Sequence, residues 1–324
     1  MITSSRLESV SKVSGFRPAA VEKVLHLCGI LQRLDSHPTT KGTWLLKGGT
    51  ALNLLHLDVP RMSVDIDLNY VGAVDREGMI ANRPEFEAAL IAVCEREGCT
   101  LKRVPDEHAG GKFRLRFASV LGGIQNLEVD VSYVARVPLL GTERLTTRFP
   151  KDDPIEVPTL PLLELAAGKF TALLQRSVPR DAFDAVNLLG LMPDLLENLD
   201  FRLAFVCSVA GGRHDPRELT PVDPTPTKLA VRQQLIPMMQ EGLKATRLDP
   251  EAQRMRLQHE LQGVAHRLLN WSASEREFLD RLHDEGKVDG ALLHQDPMIQ
   301  ARIMTQPMLL WKAQNVRQHR KKTP

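Results

Sequence analysis

The chain has 324 residues, a formal net charge of +2, 43% apolar residues and 25% charged residues. This is ordinary globular composition, long enough for one large domain or two of usual size, and it excludes a disordered chain. A net charge this small does not by itself point to nucleic acid, and aromatics at 5% do not suggest a stacking platform for single-stranded bases. Cys28, Cys94, Cys99 and Cys207 lack a second Cys/His pair at zinc spacing and read as buried free thiols. With no signal-like leader and no apolar run of about 18 residues, the expected location is the cytoplasm, without membrane partners.

A polar start leads into "RPAAVEKVLHLCGILQRLDSHP", whose apolar residues from Val21 to Leu34 recur at steps of three and four and predict a helix. "TWLLKGG" reads as a short strand stopped by two glycines, and "TALNLLHL" as a helix opening at Thr50. "SVDIDLNYV" alternates as a strand, and "RPEFEAALIAVCEREG" reads as a helix with Pro84 near its start. "KFRLRFAS" and "IQNLEVDVSYV" flank Gly122-Gly123 and predict a hairpin. A Pro-rich polar stretch follows and reads as a connection. Strand signals then fade: two helices are joined at Pro179, a Pro-rich loop spans 213–227, and helical segments are expected near 228–246, 250–270 and 274–285. These elements predict an α+β fold: an α/β domain with a mixed sheet over residues 1–155, then an α-helical domain over 156–324 carrying Lys169 and Asp184.

The stretch "KGGTALNLLHLDVPRMSVDIDL" concentrates the chemistry. In a strand, residues i and i+2 face the same way, so Asp65 and Asp67 present two carboxylates from one face. Such a pair repels itself unless a cation intervenes, and Mg²⁺ commonly bridges one or two carboxylates to substrate phosphates. Two acids on an exposed strand are usually just a solvated face. Gly48-Gly49 between a strand and a helix changes that reading, because the backbone comes close to a ligand there and the helix start favours phosphate. Thr50 is placed either to cap that helix or to offer its hydroxyl to a phosphate. Neither a P-loop nor a GxGxxG fingerprint is present.

This order resembles the DNA polymerase β-like nucleotidyltransferase superfamily. "KGGTALNLL" with "RMSVDIDL" is similar in particular to the AbiEii branch of abortive-infection toxins, which includes the MenT toxins; Arg61, Ser63, Asp65, Asp67 and Leu68 fill its second motif. A further block, "ELAAGKFTALLQRSVPRDAFDAVNL", fits the same branch through Glu164, Ala167, Lys169, Ala172 and Leu173, then Arg180, Asp181 and Asp184. Gly168 stands where the family often has Glu. The resemblance covers residues from about 44 to 190.

The resemblance implies a polymerase β-like core and a Mg²⁺-dependent nucleotidyltransferase of the EC 2.7.7 class, with Mn²⁺ as an alternative metal. Asp65 and Asp67 would hold the metal on an NTP, and Lys47, Gly48, Gly49 and Thr50 would cradle its phosphates. Arg61 would bind phosphate or pair with an acid. Lys169 would neutralise the departing pyrophosphate. Asp184 would take the proton of the attacking hydroxyl or orient Lys169 or Arg180, which joins the substrate-binding set. Ser63 lies two residues before Asp65, where phosphorylation would place charge beside the triphosphate. The implied function is the toxin of a toxin–antitoxin pair, transferring NMP to an RNA, with the tRNA 3′ end the expected acceptor, and so blocking translation; a cognate antitoxin is the implied partner. The alternatives are a small-molecule or protein acceptor, or a non-catalytic nucleotide-binding relative.

Many polymerase β-like enzymes use a third carboxylate on a later strand, and Asp130 is the candidate, with Glu128 on its face. A two-residue turn at Gly122-Gly123 sets Asp130 opposite Leu115, on the apolar side, whereas a one-residue bulge sets the acids among Lys112, Arg114 and Arg116. The residues alone do not decide between these registers. Arg213, Arg217, Arg232, Arg247, Arg254 and Arg256 are basic but interspersed with acids, and the run Arg317, Arg320, Lys321, Lys322 reads as a disordered end, with contact to a nucleic-acid backbone as the alternative.

Overall fold

In the computed structural model the described residues are 2–103, 110–243 and 248–322. The chain forms two compact units, each crossed more than once: Met1–Arg136, Thr142–Leu160 and Lys228–Gln253 form the first, and Val137–Gly141, Pro161–Thr227 and Arg254–Pro324 the second. Segment 228–253 therefore folds with the first unit, and Met62 N donates to Met238 O at 2.7 Å there.

The first unit is built on a seven-stranded mixed sheet. In chain order its elements are helix α1 (Ser4–Ser14), helix α2 (Pro18–Ser36), strand β1 (Trp44–Lys47), short helix α3 (Gly48–Ala51) with a wide turn Leu52–His56, β2 (Ile66–Tyr70), α4 (Arg76–Arg96), β3 (Cys99–Arg103), β4 (Gly110–Ala118), β5 (Ile124–Ser132), β6 (Glu143–Thr146) and β7 (Glu156–Thr159). The strand order is β3-β4-β5-β2-β1-β7-β6, with β2 parallel to β5, β1 parallel to β7 and the other pairs antiparallel. Leu46, Leu68, Val129, Val131, Phe113, Leu115 and Phe117 are buried on one face. Helices α2 and α4 cover that face: the rings of His26 and Phe117 lie 4.3 Å apart, and those of Tyr70 and Phe86 5.2 Å.

Several boundaries differ from the sequence reading. The helix after β1 opens at Gly48 rather than Thr50. Helix α4 begins at Arg76, eight residues before Pro84, because the Asp75 carboxylate caps it by accepting from Gly78 N at 2.7 Å. Strands β6 and β7 lie in the stretch read as a connection; four residues each, with Pro158 inside β7, they are too short to show alternation. Residues 228–238 form only short turns, at Lys228–Ala230, Val231–Leu235 and Ile236–Met238.

The hairpin register is decided from outside the hairpin. Pairing closes at Ala118 and Ile124, so the connection has five residues rather than two. Glu22 on α2 is fully buried and accepts from Ser119 Oγ at 2.6 Å, Val120 N at 2.7 Å and Gln125 Nε2 at 3.1 Å. Gly122 and Gly123 take positive φ values of 95° and 78°, which the loop needs to return. The odd-numbered connection places Lys112 opposite Asp130 and Arg114 opposite Glu128, so the acids share the cationic face and not the core.

The second unit is helical among the described residues. Helix α5 (Leu162–Arg176) packs on α6 (Pro179–Leu191) and on α7 (Leu199–Ala210), with the Phe170 and Phe201 rings 5.6 Å apart. Later helices span Val264–Leu269, Ala273–Asp280, Pro297–Met304 and Pro307–Lys322. The last is a helix where a disordered end was expected. Arg247 and the side chains of Lys321 and Lys322 lie outside the described residues. All four cysteines are buried and free; burial pushes the Cys28 thiol up to about 12 and that of Cys99 to about 11, which leaves them unreactive.

Two outcomes follow for stability. Glu22→Ala removes three hydrogen bonds from a charged acceptor and should cost about 2–4 kcal/mol in urea titration, with faster amide exchange in β4 and β5. His56 is held neutral, its pKa lowered to about 4 by burial and by Arg148. The unfolded chain therefore binds more protons between the ordinary value of 6.5 and about 4, so this stabilisation is complete above pH 6.5 and is lost as pH falls to about 4. Thermal melts across that window should show a shallower loss for His56→Gln than for the parent chain.

Candidate active site

The sheet register assembles one polar row in the first unit. Lys47 pairs with Asp67 across β1 and β2, Asp67 with Asp130 across β2 and β5, and Asp130 with Lys112 across β5 and β4. Residues directly opposed on neighbouring strands share a face, so these four form a line perpendicular to the strands. Asp65 stands one residue before β2, and alternation along β5 and β4 adds Glu128 and Arg114 to this face. Lys47, Asp65, Asp67 and Asp130 are half-buried.

Gly48 lets the row close up. It has φ 70°, and a Cβ there would collide with the Asp67 carboxylate. Thr50 is fully buried, and its hydroxyl donates to the Asp65 carbonyl oxygen at 2.5 Å, which ties the helix start to the approach of β2. That hydroxyl is spent on the backbone and caps no helix. Asn53, absent from the sequence reading, donates to Gly49 O at 2.8 Å. Arg61 is 2% exposed and donates from Nη1 to Met62 O at 2.9 Å, so it braces the loop before β2. Ser63 is 5% exposed, and a kinase would need this loop opened to reach its hydroxyl.

The electrostatics bear out the grouping. Glu128 accepts from Lys112 Nζ at 3.0 Å and pairs with Arg114 Nε at 3.3 Å. The Lys112 ammonium is held above its ordinary value by that hydrogen bond and further by the charges of Glu128, Asp130 and Asp65, while burial opposes the shift. Asp65 and Asp130 thus lie within reach of the same cation. Among the described residues no three acids, histidines or cysteines converge into a complete metal cage. The donors fit Mg²⁺ of the kind that takes one or two hard carboxylate oxygens and completes its shell with water and substrate phosphates.

The second unit carries its own charged cluster. Lys169 Nζ on α5 lies 2.8 Å from Asp181 Oδ1 and 2.9 Å from Asp184 Oδ2, and Arg176 Nε donates to Asp181 Oδ2 at 2.7 Å. Asp181 and Asp184 sit three apart on α6, on one side of the helix. Lys169, Asp181 and Asp184 are all buried. Burial would raise the Asp181 carboxyl, but the Lys169 charge and the hydrogen bonds from Arg176 and Lys169 hold it below the ordinary value. Arg180 is half-buried on the same helix. Asp181 is the residue the sequence reading left without a role; the signal was its three-residue spacing from Asp184. Glu164 also gains one: its carboxylate accepts from Leu139 N at 3.0 Å and Leu140 N at 2.9 Å, fastening segment 137–141 to α5.

Gly48→Ala should cost roughly 1–3 kcal/mol through its left-handed backbone and displace Asp67, read as a lower melting temperature with weakened divalent-cation binding. Lys169→Met removes the buried ammonium that Asp181 and Asp184 share and should destabilise the fold by about 3–5 kcal/mol, measured by urea unfolding.

Comparison with known proteins identifies the family and the fold. The sequence model of the nucleotidyl transferase AbiEii toxin family, Type IV toxin–antitoxin system, matches residues 29–265. Among solved structures, the nucleotidyltransferase toxin MenT4 from Mycobacterium tuberculosis H37Rv is similar with a TM-score of 0.55 and 18% identity, covering 94% of this chain and 98% of that one; the likeness is one of fold. A search of curated protein sequences finds no significant match. With the family's sequence pattern spanning most of its length, this chain belongs to the AbiEii nucleotidyltransferase toxins.

Proposed function

We propose that the chain transfers a nucleoside monophosphate from an NTP to the 3′ end of an RNA, tRNA being the favoured acceptor, and that this arrests translation until a cognate antitoxin intervenes. The observation that carries the reading is the row of Asp67 and Asp130 on adjacent parallel strands, with Asp65 at its head and Gly48 against Asp67. Three carboxylates sharing a face repel one another beyond what Lys47 and Lys112 offset, and the Mg²⁺, or Mn²⁺, that accompanies an NTP is a cation such a face would take. Asp65 and Asp67 would hold the ion, with Asp130 as third carboxylate; when bound it would stabilise charge on the phosphates during in-line displacement.

The remaining steps belong to this chain's own groups. The Gly48-Gly49 backbone lets polyphosphate approach closely, and Lys47 lies beside Asp67 in register to balance its charge. Thr50 and Arg61 act through the backbone they brace, holding the Asp65 approach in place. In this reading Lys169, matched by Asp181 and Asp184, serves the reaction from within the second unit. Asp184 is assigned to holding that ammonium rather than to taking a proton, because it already sits 2.9 Å from Nζ. Arg180 is assigned to substrate binding.

The test is transfer of label from each α-³²P NTP, with Mg²⁺ and total tRNA. Label should enter RNA, and Asp65→Ala, Asp67→Asn and Asp130→Asn should each lower the rate by about 10²-fold or more. Label moving to a protein or small acceptor would keep the reaction and replace the acceptor. No transfer to any acceptor, with NTP binding intact, would overturn the reading.

A further inference from the structure

The first unit holds a cavity of about 270 Å³ that shares no residue with the polar row. Val10 and Val13 of helix α1 line it together with Phe16, Val59 and Phe149. Phe16, Val59 and Phe149 are buried, whereas Val13 is 81% exposed. Gln240, from the segment that returns to this unit, also lines the cavity. Backbone hydrogen bonds hold these segments in place: Glu241 N donates to Gly15 O at 2.7 Å, and Arg148 N to Leu54 O at 2.7 Å.

Two observations set the cavity apart from a packing gap. The first is Val59, whose φ is 43°. It is β-branched and precedes Pro60, and each of these disfavours a left-handed backbone. Such a conformation persists only where its surroundings enforce it, and such residues gather at ligand clamps. The second is unmatched charge. Arg148 and Lys151 both line the cavity and are exposed, and among the described residues neither has a carboxylate within ion-pair distance. Of the two acids in the lining, Asp152 is held by Arg6 at 3.5 Å, which leaves Asp58 against the two cations.

Size and chemistry narrow the occupant. An apolar cavity of about 150 Å³ takes up benzene, and drug-sized ligands occupy roughly 300–1,000 Å³, so this space suits a ring or short branched chain with one small polar head. A wholly apolar compound would leave the two cations unmatched. A bare phosphate would leave the apolar walls unmatched.

We infer that this cavity binds a small amphipathic carboxylate, with its apolar body against Val10, Val59 and Phe149 and its anion at Arg148 and Lys151. The inference stands apart from nucleotidyl transfer, because it needs no metal, NTP or acceptor.

The test is isothermal titration calorimetry of the full chain, without NTP or metal, with phenylbutyrate and its neutral twin phenylbutanol. Circular dichroism would check that each variant folds. The acid should bind about tenfold or more tightly than the alcohol, and the double variant Arg148→Gln, Lys151→Gln should lose that preference. Val13→Glu, at an exposed helix position, should weaken the acid by about threefold or more, whereas Val13→Lys should not. Equal binding of acid and alcohol by the parent chain would overturn the anion and leave an apolar slot of the kind a partner's side chain fills. Binding of neither compound up to millimolar concentration would overturn the ligand site. Binding that no variant alters would put the probe elsewhere and overturn the assignment as well. A chain that binds the acid as expected yet transfers no nucleotide would uphold the cavity and remove the catalytic reading instead.

Discussion

The carboxylate of Glu22 governs more of this molecule than its position on a helix suggests. It is fully buried, and it meets its hydrogen-bonding need from Ser119, Val120 and Gln125, all in or beside one turn. A buried charge left unmatched is among the most expensive things a fold can contain, so the turn has to come to it. Strand side chains alternate with a period of two. Anchoring the turn at five residues instead of four or six therefore decides, for all of β4 and β5, which side chains enter the core. Asp130 reaches the face of Asp67 as a consequence of that distant contact.

Charge matching recurs at each level above the turn. On the polar face the acids are opposed by Lys47, Lys112 and Arg114 in register, so the row is organised before any ligand arrives. In the helical unit a buried ammonium is shared by two buried aspartates, one of them also held by Arg176. Buried ion pairs of this kind add little net stability against a well-packed apolar core, but removing one partner is severe, so they fix geometry more than they strengthen the fold.

The glycine at position 48 shows how backbone and charge cooperate. Its left-handed φ and missing Cβ are both required, the first by the turn out of β1 and the second by the Asp67 carboxylate lying against it. The Thr50 hydroxyl then fastens the same corner to Asp65. A tight corner, a carboxylate and a hydroxyl thus form one rigid piece, in which the conformation of each limits that of the others.

The sequence alone determined the main helices, the two strands around the glycines, the hairpin and the two motif blocks, because each rests on local periodicity or on residues close in the chain. Asp65 and Asp67 stood out as candidates by their spacing, and Lys169 and Asp184 by family resemblance. Strands β3, β6 and β7 were not, since runs of four or five residues carry too little alternation and owe their pairing to neighbours far along the chain. The return of residues 228–253 to the first unit, the partnership of Asp181 with Lys169, and the side of the sheet on which Asp130 falls were likewise decided only by tertiary structure. Each depends on a contact between residues distant in sequence, and for Asp130 that contact is a single buried glutamate about a hundred residues upstream, at position 22, which holds the turn and so selects one of two registers that local pattern leaves open.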